Sequence, residues 1–124
     1  LTILSVLFSS ADVIILDEPT LGMDGFLIKE LADMIKKLSA EGKTVIMISH
    51  EIPLVFKTVD EAIILNQGEK IFEGSKESLA RRDDIFDHIN IQLPPVVLLS
   101  KALGLDEICY SVEEFAAKIV ERNV

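Results

Sequence analysis

The sequence predicts an α/β fold, and three observations carry that expectation. Val13-Ile14-Ile15-Leu16 is an unbroken, β-branched apolar run that stops at Asp17-Glu18-Pro19. Proline cannot donate to a sheet ladder, so a strand ends there. Leu27, Leu31, Met34, Ile35 and Leu38 then recur at helical spacing. A second apolar run, Thr44–Ser49, follows. Strand, helix and strand make one βαβ unit, expected to be right-handed. Uninterrupted apolar strands suit a parallel sheet buried on both faces.

Taken in order, Leu1–Ser10 places apolar residues 1, 4, 7 and 8 on one helical face. Asp24 suits the N-cap of the central helix. Lys29, Asp33, Lys36 and Lys37 mark its wet side, with Asp33 and Lys37 spaced as an i,i+4 pair. Gly42 ends it. A short helix is expected over Pro53–Lys57, with proline tolerated in the first turn. Glu61–Leu65 and Lys70–Glu73 read as strands of a hairpin joined by Asn66-Gln67-Gly68-Glu69. From Gly74 the character turns helical, over Ser75–Arg82, Pro95–Leu103 and Ser111–Arg122. Ser111 and Glu114 have capping-box spacing. The composition shift at Gly74–Asp84 predicts two domains, residues 1–82 and 83–124.

Composition bounds the function. In 124 residues, Lys plus Arg is 12 and Asp plus Glu is 21, a formal net charge of −9. Phosphate neutralisation needs surplus Lys and Arg, so no nucleic-acid partner is expected. The same deficit argues against a polybasic membrane patch. The longest run without Asp, Glu, Lys or Arg, His88–Ser100, contains Pro94 and Pro95. That is too short and too broken to span a bilayer. With one Cys and two His, neither an internal disulfide nor a zinc site is expected. Cys109 reads as a reduced thiol, and His88 as solvated.

The chemistry concentrates after the first strand. Asp17 and Glu18 sit at its carboxyl end, where open α/β sheets bind ligands. Successive strand side chains point oppositely, so the two acids can do different work. One can hold Mg²⁺, largely through water; the other can orient and deprotonate an attacking water. His50 closes the next strand, in Ser49-His50-Glu51. If the two strands are neighbours, it lies beside the acid pair and can hydrogen-bond a phosphate and the attacking water.

Asp17-Glu18-Pro19-Thr20, the Leu21-Gly22-Met23-Asp24 loop and Ser49-His50-Glu51, in this order and spacing, resemble the second half of an ABC transporter ATPase. The first segment is similar to the family's Walker B strand with its catalytic glutamate, the second to the D-loop, the third to the switch-histidine loop. The resemblance covers about residues 1–82, hairpin included, and implies part of a P-loop NTPase core. It implies Asp17 as the residue holding Mg²⁺ through water and Glu18 as the general base. His50 would contact the γ-phosphate of ATP, and Ser49 before it would belong to the residues that bind the nucleotide. Asp24 would couple two ATP sites across a head-to-tail dimer with a second ATPase subunit. Met23 stands where the family usually has Leu, a swap that roughly conserves volume, and Gly25 is also unusual there.

The larger departure is an absence. The sequence contains no G-x-x-x-x-G-K-[ST], the loop that cradles phosphates. The family's glutamine loop and LSGGQ-type signature are missing too, and Leu1–Ser10 matches the helix that follows the signature. The chain alone is therefore expected to be inactive, and its opening on Leu1, already apolar, is expected to be that of a fragment or processed product.

The tail, Leu93-Pro94-Pro95-Val96, Gly104-Leu105 and Ser111-Val112-Glu113-Glu114-Phe115, resembles the helical C-terminal extension of energy-coupling factor transporter ATPases. That resemblance implies import of a metal ion or vitamin in a prokaryote. The ATPases would dock on a transmembrane coupling subunit at the cytoplasmic face of the membrane. Two other readings share parts of the pattern: an ABC-type ATPase of DNA repair or chromosome maintenance, and a non-catalytic scaffold or regulatory product. With a mean hydropathy of +0.39, self-association through an uncovered sheet face is expected.

Overall fold

The computed structural model describes Ser5 and residues 9–123. The helix expected over Leu1–Ser10 lies almost wholly outside the described residues. The rest forms two compact units that divide between Thr58 and Val59.

In the first unit, β1 (Val13–Asp17) pairs in parallel with β2 (Thr44–Ile48), and α1 (Gly25–Ala40) connects them. α2 (Ile52–Thr58) follows β2 and takes Pro53 in its first turn. The helix stripe read from the sequence builds the core. Ile14 of β1 packs with Leu31, Ala32, Met34, Ile35 and Leu38 of α1 and Leu54 of α2. Leu16, Met23, Ile28, Val45 and Met47 close its edge. Leu27, expected in that stripe, is exposed at its start. Gly42 ends α1 at φ +87°, with its N–H on the Ser39 carbonyl, a backbone that other residues adopt only with strain.

One expectation fails here. Both strands were expected to be buried on both faces, but each is buried on one. Ile14, Leu16, Val45 and Met47 face the helices, whereas Val13 and Ile15 are 52% and 66% exposed and Ile46 and Ile48 are 49% and 54% exposed. The cause is coverage: among the described residues, α1 and α2 pack on one side of the pair only. The other side is an apolar ledge.

The second unit opens on an antiparallel hairpin, β3 (Glu61–Asn66) and β4 (Glu69–Ser75). Its two-residue turn, Gln67-Gly68, has both φ angles positive, at 49° and 80°. That twist matches the strands it joins. A bulge falls between Ile64 and Leu65. The helix expected over Ser75–Arg82 is shorter: Ser75 is the N-cap and α3 spans Lys76–Ala80. An unexpected helix, α4 (Asp83–Ile89), follows. Its first turn carries two ion pairs. The Arg82 guanidinium grips Asp84 through two contacts of 2.8 Å, and Asp83 pairs with Lys101.

Then come α5 (Pro95–Ala102), with proline at its first position, and α6 (Val112–Arg122). Ser100, fully buried, donates its hydroxyl to Val96 and accepts the Cys109 N–H at 3.1 Å, which ties α5 to the loop before α6. Cys109 is a buried free thiol. Ser111 caps α6 by accepting the Glu114 N–H, and the Glu114 carboxylate reaches back to the Tyr110 N–H at 2.8 Å. The expected capping box thus forms one residue wider than its usual geometry.

Candidate active site

The site is built by strand register. The last pair of the parallel ladder is Asp17 with Ile48, and the ladder runs one step further: the Glu18 N–H donates to the Ile48 carbonyl at 2.8 Å. Residues 17 and 18 therefore end beside residues 49 and 50. At Glu18 the backbone turns sharply, with φ +46°. A non-glycine residue in that left-handed region is uncommon and carries strain. The turn continues through hydrogen bonds from Leu21 N–H to Glu18 and from Met23 N–H to Thr20.

The turn aims the Glu18 side chain at His50. His50 Nδ1 lies 2.9 Å from Glu18 Oε2. The histidine side chain is 76% exposed and the glutamate side chain 38%. The hydrogen bond to Glu18, and then its charge, raise the His50 pKa above the ordinary value, and Glu51 adds to the rise. The pair is thus an acid and an imidazole in hydrogen-bond contact, held at the carboxyl end of a parallel strand pair.

The other expected residues take distinct places. Asp17 is the last residue of β1, on its exposed side with Val13 and Ile15. Asp24 caps α1, its carboxylate accepting the Leu27 N–H at 2.9 Å. Ser49 Oγ accepts the Glu51 N–H at 3.0 Å, folding the segment after β2 into a tight turn. The structure therefore brings Glu18 and His50 into contact, and gives Asp24 and Ser49 backbone partners of their own. Among the described residues no group of three His, Cys, Asp or Glu side chains could hold a metal. Mg²⁺ takes one or two carboxylates and fills its shell with waters and substrate phosphates. Asp17 fits that chemistry as a single ligand to an ion carried by a nucleotide.

No family model matches the chain. Curated relatives do. The chain is 37% identical over 102 residues to the energy-coupling factor transporter ATP-binding protein EcfA2 of Staphylococcus saprophyticus, covering 82% of this chain and 36% of the relative. It is 38% identical over 82 residues to EcfA2 of Thermotoga maritima, covering 66% of this chain and 31% of the relative. Among solved structures, CbiO1 of Clostridium perfringens, described as part of the ABC transporter complex CbiONQ, superposes with a TM-score of 0.51 at 26% identity. That match covers 73% of this chain and 36% of the other. The chain spans about a third of the length of these relatives. By sequence and by fold it matches the C-terminal part of an ABC transporter ATP-binding subunit.

The fold of this ABC ATPase portion is accordingly α/β, of the P-loop NTPase type. Sequence reasoning missed one feature of the site and one at the opposite end of the strands that carry it. The positive φ of Glu18 has no glycine or asparagine to announce it, and the proline that follows ordinarily favours extended backbone before it. Lys43 was also passed over. Its ammonium donates to the carbonyls of Ser9 and Ala11, at 3.1 and 2.7 Å, and so fixes the entry to β1. A lysine between a helix stop and a strand gives no sequence signal of that role. The concave surface lined by Arg81, Asp106, Ile108 and Tyr110 belongs to the second unit.

Proposed function

We propose that this ABC ATPase portion belongs to an ATP-hydrolysing subunit that drives membrane import of a small nutrient, a metal ion or a vitamin. The observation that carries the reading is the 2.9 Å contact between Glu18 and His50 at the ends of adjacent parallel strands. In this reading Glu18 takes the proton of the attacking water. A carboxylate offers about four lone-pair sites, so one contact with His50 leaves acceptor capacity for that water. His50 holds the carboxylate in place and, protonated, presents positive charge toward a γ-phosphate. Asp17 holds Mg²⁺ through water; bound there, the ion supplies charge neutralisation on phosphate oxygens. Ser49 shapes the turn that carries His50. Asp24 lies at the boundary with a second ATPase subunit, arranged head to tail, and couples the two sites.

Residues 1–82 form the ATPase part in this proposal and residues 83–124 a helical extension. The subunit sits peripherally on the cytoplasmic face of a prokaryotic membrane, against a transmembrane coupling subunit. The names of the relatives support this assembly, as does the surplus of acid over base, which disfavours nucleic acid. No helix among the described residues is long and apolar enough to cross a membrane.

A chimera tests the proposal. This chain replaces the aligned segment of the Staphylococcus saprophyticus relative, which then provides the rest of the subunit. The expected result is ATP hydrolysis by the chimera and a loss of about a hundredfold or more with Glu18→Gln, the scale for removing a positioned base. A folded, ATP-binding chimera with unchanged turnover after Glu18→Gln would overturn it. The chain by itself is expected to show neither micromolar ATP affinity nor turnover, because its sequence has no phosphate-cradling loop.

A further inference from the structure

Two hollows meet in the second unit, between α3 and the loop that joins α5 to α6. One, of about 310 Å³, has Glu77 and Tyr110 in its wall; the other, of about 500 Å³, has Lys101 and Leu105. Arg81, Asp106 and Ile108 line both. Most of the charge around them is already matched. Lys101 pairs with Asp83 and Glu107 with Lys118, and the Lys76 ammonium lies 4.6 Å from the centre of the Tyr110 ring. Arg81, Asp106 and Glu77 differ. Among the described residues none of these three forms an ion pair, either with one another or with a neighbour. Glu77 and Arg81 are even four apart, the spacing at which a helix-surface pair forms. Opposite charges thus line one cavity without meeting. Half-buried Ile108 and Leu105 supply it with an apolar wall.

We propose that the joined hollows bind a free α-amino acid with an aliphatic side chain. The Arg81 guanidinium donates two parallel hydrogen bonds to its carboxylate, the strong geometry for that pair. Asp106 accepts from its ammonium, with Glu77 as the second acid of the site, and the side chain lies against Ile108 and Leu105. A ligand carrying both charges matches all of these groups at once. A simple anion would sit beside unmatched carboxylates, and a simple cation would meet Arg81; unpaired and like charges select against both. Among the described residues no three acid, His or Cys side chains converge on a metal position. The volumes suit a small molecule. The hollows lie in the unit that does not carry Glu18 and His50, so the proposal stands apart from the ATPase reading.

The test uses the full chain, isotope-labelled for NMR, with L-leucine as the probe. The amide signals of Arg81, Asp106 and Ile108 are expected to shift saturably, half-way at about 1 mM, a modest affinity for a ligand of this size. Isocaproate, which lacks the ammonium, and isoamylamine, which lacks the carboxylate, are expected to bind at least about tenfold more weakly, since each leaves a charge of the site unmatched. Arg81→Met keeps the apolar stem and is expected to lose leucine by about tenfold or more. Asp106→Asn is expected to weaken leucine and narrow its advantage over isocaproate, with the rest of the spectrum unchanged. No saturable shift up to about 50 mM leucine, far above the expected midpoint, overturns the proposal. So does isocaproate binding as tightly as leucine, or leucine binding unchanged in both variants.

Discussion

His50 and Glu18 face each other across the ends of two parallel strands, Nδ1 2.9 Å from Oε2. The pair defines a titration with a known sign. Glu18 raises the His50 pKa, through the hydrogen bond first and its charge second. A histidine whose folded pKa exceeds its unfolded value of about 6.5 stabilises most below that value. The contribution fades as pH rises through the raised folded value. Both groups are substantially exposed, so solvent screens the pair and its effect on global stability is small. The sharper readout is local: the His50 ring protons, followed by NMR, should titrate above the unperturbed range, and Glu18→Gln should bring the midpoint down. A midpoint that does not move with Glu18→Gln would mean the contact is not populated in solution.

Much of this arrangement is legible in the sequence. The apolar run ending in Asp17-Glu18-Pro19, the stripe from Leu31 to Leu38 and the run to Ser49 place both strand ends and the helix between them. Register then follows from topology, since two parallel strands joined by one helix align their carboxyl ends. What the sequence does not carry is coverage. Ile15 and Ile46 look identical in pattern to Ile14 and Val45, and only the packing of α1 on one side separates them. The helix α4 was missed for a different reason. Its charged start, Arg82-Asp83-Asp84, reads only as a solvated helix end, and Ile85 and Phe86 alone are buried in the helix. Ile85, Phe86 and Ile89, within seven residues, are too few to establish a helical period.

That one-sided coverage makes adjacent residues of β1 differ sharply. Ile14 is 7% exposed in the core and Ile15 is 66% exposed. Ile14→Ala removes methylenes from a packed site and is expected to cost about 2–5 kcal/mol of unfolding free energy. Ile15→Ala removes the same atoms from the open side and should cost about 1 kcal/mol or less. Urea denaturation of the two variants measures both. Equal losses would show that something covers the second face in solution.

The hairpin turn offers a stabilising substitution. Gln67 has φ +49° and is followed by Gly68 at φ +80°. Asparagine tolerates the left-handed region better than glutamine, and Asn-Gly is the favoured pair for a two-residue turn with both angles positive. Gln67→Asn is expected to raise stability by about 0.5 kcal/mol, read as a higher denaturation midpoint at unchanged slope. Gly68→Val should act oppositely and more strongly, because a β-branched residue is a genuine outlier at positive φ.

Asp24 carries two assignments that substitution can separate. Its carboxylate caps α1 through the Leu27 N–H at 2.9 Å, and the proposed function gives it a second duty at the boundary between ATPase subunits. Asn caps a helix about as well as Asp, whereas Ala cannot. Asp24→Ala should therefore destabilise the chain by about 1 kcal/mol. Asp24→Asn should lose little, namely the favourable charge at a helix N-terminus, about 0.3–1 kcal/mol. In the chimeric ATPase the comparison turns to catalysis. If Asp24 serves only as a cap, Asp24→Asn hydrolyses ATP at the parental rate and Asp24→Ala loses activity only in step with its stability. If the carboxylate also couples two sites, Asp24→Asn loses turnover out of proportion to its small loss of stability, and cooperativity in ATP falls with it. Midpoint and turnover measured on the same two variants decide between a helix cap and a coupling residue.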